Sequence, residues 1–135
     1  MPVKEHDLYM MLADYLGYEY KGAIWRFDLA ADLKLTIGQA RKHKHLQQHR
    51  GYPDLFIAEP RGKYHGLFLE VKRAGVKIYK RDGTLVSDAH IREQFDMLEQ
   101  LRQRGYMAEF ACGFDEAKKI IDEYLGGPEA EEVEF

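Results

Sequence analysis

The sequence predicts a mixed α/β fold, a central β-sheet flanked by helices and built as one domain. Three observations lead there. Helical and strand-like apolar periodicities alternate along the chain, which favours a layered sheet with helices on both faces. Gly51–Lys72 holds two short apolar runs, Leu55–Ala58 and Gly66–Val71, around a turn at Pro60-Arg61-Gly62-Lys63, the pattern of a hairpin. With 135 residues and one cysteine, the chain is long enough for a single core without disulfides.

Taken in order, the first helix is expected from about Val3 to Leu16, with Pro2 near its start and Gly17 closing it. Leu8, Met11, Leu12, Tyr15 and Leu16 form its apolar stripe, and Glu5 falls on the same stripe. A carboxylate there has two readings: a first-turn partner of the helix dipole, or a metal ligand. His6 points away from the stripe. Ala23–Leu29 reads as a strand with Trp25 and Phe27 on one face. A helix follows, clear from Thr36 onward and ended by Gly51, whose weak periodicity suggests a surface position. His43 and His45 lack partners at zinc spacing, so no zinc site is expected.

After the Gly51–Lys72 hairpin, Asp82-Gly83 between Val76–Lys80 and Thr84–Ser87 predicts an extra β-hairpin over residues 76–87, with a type I′ or similar turn, projecting from the domain. A helix is capped by Ser87 or Asp88 and stopped by Gly105, with Ile91, Phe95, Leu98 and Leu101 inward. Gln94 lies within that face and needs a hydrogen-bond partner; His90 is a weaker candidate of the same kind. Tyr106–Ala111 is a further strand, and Cys112 beside it is expected to be a small core residue rather than a nucleophile. Phe114–Leu125 closes the domain as an amphipathic helix, and Gly126-Gly127-Pro128 ends it. Residues 1–125 thus form the domain and 126–135 an acidic, disordered tail.

The tail distorts the overall charge of −3: GGPEAEEVEF carries four Glu, so 20 Lys and Arg face 19 acids elsewhere. Two runs without an acid, Arg41–Arg50 and Lys72–Arg81, flank the hairpin in sequence. Their joint position points to a polyanion, with Arg41, Lys42, Lys44, Arg50, Arg73, Lys77, Lys80 and Arg81 as backbone contacts. No run is apolar enough to span a membrane and the N-terminus lacks a signal-peptide layout, so a cytoplasmic location is expected.

The hairpin supplies the chemistry. Asp54 opens its first strand, while Glu70 and Lys72 leave one face near the end of the second. Two carboxylates beside an ammonium suit Mg2+, or Mn2+, against phosphate oxygens, with the Val71 carbonyl as a third ligand. Lys72 would orient water or stabilise the transition state. The plain alternative is a surface hairpin with a weak ion pair.

The ordered set Gly51-Tyr52-Pro53-Asp54, Leu69-Glu70-Val71-Lys72 and Gln94 in HIREQFDMLEQL resembles the virus-type replication-repair nuclease (VRR-NUC) domain of the PD-(D/E)XK phosphodiesterase superfamily. That resemblance implies a restriction-endonuclease-like core, with Asp54, Glu70, Lys72 and Gln94 as catalytic residues. It also favours Glu5 as a metal ligand beside Asp54, Glu70 and Val71. Stand-alone members, often phage-encoded, are homodimers acting on branched DNA such as Holliday junctions or flaps; the cytoplasm would then be that of a bacterial host. Two rivals stand beside this metal-dependent deoxyribonuclease: a sequence-reading restriction-type nuclease, and a catalytically silent DNA-binding module.

Overall fold

The computed structural model describes residues 3–28 and 33–128. Within these, four helices and four strands alternate as α1 (Glu5–Glu19), β1 (Trp25–Phe27), α2 (Ile37–His45), β2 (Leu55–Ile57), β3 (Leu67–Lys72), α3 (Ala89–Gln103), β4 (Met107–Cys112) and α4 (Phe114–Leu125). The strands form one sheet in the order β1-β2-β3-β4. The first three make an antiparallel meander, with Leu55 opposite Leu69 and Phe27 opposite Leu55. β4 lies parallel to β3, with Glu70 opposite Phe110, after the α3 crossover that a parallel pair requires.

Side chains alternate across β3, and each face has its own core. Leu67, Leu69 and Val71 pack with Leu55, Ile57, Leu8, Leu12, Leu16 and Ile121, on the side of α1 and α4. Phe68 packs with Ile91, Leu98, Ala108 and Phe110 on the α3 side. Each fully buried leucine contributes about 1.5–3 kcal/mol through the water it sheds. The mixed sheet between helices is the architecture expected from the sequence.

Several local readings change. α1 continues through Gly17, where a side chain would meet nothing within 4 Å, and ends at Tyr20, whose N–H bonds the Leu16 carbonyl. Its buried face includes Tyr9, while Met11 is 39% exposed. α2 begins at the expected place, with Thr36 and Gln39 forming a reciprocal capping box, and buries no residue, but it stops at His45, short of Gly51.

The segment 76–87 forms the expected hairpin, with Tyr79 opposite Leu85 and Val86 N–H bonding Ile78 C=O. Its turn is not type I′: Asp82 keeps a negative φ, Gly83 stands at φ 85°, and Gly83 N–H bonds Lys80 C=O. With Lys80 N–H bonding Thr84 C=O, this is a three-residue loop ending in a left-handed glycine. Nor does the segment simply project, because Ile78 is buried and packs with Phe68, Ile91 and Leu98, beside Val76 and Leu85. Burying those apolar residues outweighs the repulsion among its bases. Most of the acidic tail, 129–135, lies outside the described residues, as does Pro2.

Candidate active site

The antiparallel register of β2 and β3 brings the start of one beside the end of the other. Asp54 is fastened there at both main chain and side chain. Its carbonyl accepts from Asp28 N–H at 2.8 Å, and its Oδ2 accepts from Val71 N–H at 2.8 Å. Gly51 lets the loop before it run against α3: at φ 76°, a Cβ would lie 2.9 Å from the Glu93 carbonyl oxygen. Glu70 leaves the α3 face of β3, and Gln94 Nε2 donates to its Oε1 at 2.8 Å.

Asp54, Glu70 and Gln94 are 7%, 4% and 5% exposed, the buried polar side chains of the described core. Two buried oxygens among them have no hydrogen-bond partner, Glu70 Oε2 and Gln94 Oε1. Such orphaned groups cost about 1–3 kcal/mol each, more when charged. Burial, reinforced by the Asp54 charge, pushes Glu70 up to about 10, with Lys72 pulling the other way and Glu5 adding to the rise. Burial also raises Asp54, against the opposing Val71 N–H bond. Lys72 is half-buried and near enough to lower both carboxyls.

This pair fits a divalent cation: two adjoining carboxylates, one with an unused buried oxygen, are the hard donors such an ion takes. Among the described residues, no three His, Cys, Asp or Glu side chains form a metal cluster. Glu5 is a near neighbour of the pair. It sits one turn before Tyr9 and acts electrostatically on both Tyr9 and Glu70. Sequence reasoning missed Tyr9, whose hydroxyl hydrogen-bonds Asp54; burial first, then the Asp54 charge, raises its ionisation far above the ordinary range. Its i+4 spacing from Glu5 was the available signal. His90 Nε2 lies 3.3 Å from Gln94 Nε2, so His90 touches the site from its exposed rim.

The eight basic residues expected to contact a polyanion are all exposed. Arg41, Lys42 and Lys44 lie on α2, Arg50 follows it, Arg73 follows Lys72, and Lys77, Lys80 and Arg81 lie on the bridged segment. A cleft of about 380 Å3 runs from Asp54 to α2, lined by Tyr52, Phe56, Arg26, His43 and Gln47.

A solved structure described as a VRR_NUC domain protein superposes with a TM-score of 0.67 at 23% identity, covering 92% of this chain and 89% of that one. This chain has the VRR_NUC fold. No family model and no curated protein matches the sequence. No helix among the described residues is long and apolar enough to cross a membrane.

Proposed function

We propose that this protein is a magnesium-dependent DNA endonuclease of the PD-(D/E)XK type, acting as a homodimer on branched DNA such as junctions or flaps. The observation that carries the reading is the buried Asp54–Glu70 pair, with an unpartnered Glu70 Oε2 and Lys72 beside it. A purely structural role would not bury two carboxylates side by side, where the Asp54 charge makes Glu70 harder to ionise.

Asp54 and Glu70 would hold the cation, helped by the Val71 carbonyl and approached by Glu5; Mn2+ fits the same oxygens. Bound there, the ion would supply charge neutralisation on phosphate and acidify a coordinated water. Val71 N–H and Tyr9 keep Asp54 oriented. Gln94 fixes Glu70 through Nε2, leaving its Oε1 to accept from the attacking water. Lys72 stabilises the negative charge that builds on the phosphoryl oxygens. The exposed cations from Arg41 to Arg81 would hold the DNA backbone. The name of the VRR_NUC structural neighbour supports the nuclease class. Branch selectivity and dimerisation follow the family resemblance and the need for two sites to cut a junction symmetrically.

The test is cleavage of labelled linear, flap and four-way-junction DNA with magnesium. Lys72→Ala is expected to lower the rate by about 10²–10³-fold, the usual loss for one transition-state donor, with thermal stability retained. Equal rates would remove Lys72 from the mechanism, and the absence of metal-dependent cutting by the wild type would overturn the nuclease reading.

A further inference from the structure

The proposed chemistry leaves the cleft beside Asp54 unused. Its floor is aromatic and braced. Phe56 stacks on Phe68, with centroids 4.3 Å apart and planes at 15°. Tyr52 meets the same Phe68 edge-on at 5.6 Å and 89°, yet remains 45% exposed. Rings held this way lose little freedom when a flat ligand settles on them. Arg26 from β1 and His43 and Gln47 from the α2 side supply polar groups around that floor. Asp54 also lines it, and α2 carries exposed Arg41, Lys42 and Lys44.

We infer that this cleft receives an unpaired nucleobase of the DNA strand being cut, stacked on Tyr52 beside the phosphate at Asp54. The inference rests on the nuclease reading and narrows its substrate. Cations on α2 favour a polyanion over a free small molecule. Within a duplex, both faces of each base are already stacked, so only an unpaired or extruded base can offer one to a tyrosine. The cleft's volume suits a small planar ligand, whereas a duplex groove would need a projecting element. The preferred substrate therefore has a single-stranded nucleotide next to the scissile bond.

The experiment measures binding by fluorescence anisotropy in EDTA, on a Glu70→Gln background that lacks the proposed metal-binding carboxylate. The probes are a fluorescein-labelled duplex bearing a single-stranded flap, the same duplex with an abasic flap, and a blunt duplex. Tyr52→Ala is expected to weaken binding of the normal flap about five- to a hundredfold, the range of one stacked base. It should change binding of the abasic flap and blunt duplex less than twofold, and Tyr52→Phe should retain normal binding. Thermal melts of each variant confirm folding. Equal loss on all three probes, or no loss on the normal flap, would overturn the inference. Because the readout involves no cutting, failure of wild-type cleavage with magnesium would count against the nuclease reading alone.

Discussion

Glu70 shows what burial does to a single side chain. An unfolded chain releases its proton near 4.5, whereas the folded protein holds it up to about 10. Across that window the folded state binds more protons than the unfolded state, so this group's contribution to stability falls as pH rises. Glu70→Gln keeps the shape and can still accept from Gln94, with no charge to bury. In EDTA, its melting temperature should rise progressively above that of the wild type as pH increases from 4.5 toward 10, while cleavage is lost. Parallel melting curves across that range would sink the account. Metal binding requires ionised Glu70, so magnesium uptake should release a proton and tighten with pH, measurable by calorimetry in buffers of different ionisation enthalpy. Asp54, Glu70, Lys72 and Gln94 were legible as candidates from residue type and spacing. Tyr9 was not, because a tyrosine next to a leucine stripe looks like core until its hydroxyl is seen to meet Asp54.

At the scale of elements, the Gly51–Asp54 loop determines where the first carboxylate stands. Gly51→Ala would put a Cβ against the Glu93 carbonyl at a positive φ, costing about 1–3 kcal/mol. Thermal unfolding should show that loss, and cleavage should fall as Asp54 shifts from Glu70. Gly62→Ala, at φ 55° with open space around it, keeps the backbone strain without the collision and should leave cleavage intact. A Gly51→Ala variant with wild-type cleavage would show that the loop does not position Asp54. Elements written in local signals were readable: α4 spans the expected Phe114–Leu125, and Asp88 caps α3 through bonds to His90 and Ile91 N–H. The 76–87 hairpin was readable from Asp82-Gly83, but its packing was not, because Ile78 finds its core partners on β3 and α3.

For the whole molecule, charge distribution matters more than the net value. Replacing Arg41, Lys42 and Lys44 together by Ala should weaken DNA binding about equally across sequences. It should also reduce the slope of log affinity against log salt by about one for each phosphate that is no longer neutralised. Titrations at several salt concentrations test this, and an unchanged slope would place the DNA away from α2. All three residues are exposed on a helix with no buried residue, so their removal should leave the melting temperature nearly unchanged.

The sequence by itself determined which helices and strands form and which charged side chains are available, because periodicity, caps and turn glycines act over a few neighbouring residues. Only the tertiary structure decided that Asp54 and Glu70 share a buried place with an unpartnered oxygen, and that Tyr52 and Phe56 floor an open cleft beside them. Those outcomes depend on strand register and on how closely α1 and α3 approach the sheet, which long-range packing sets and local patterns do not encode.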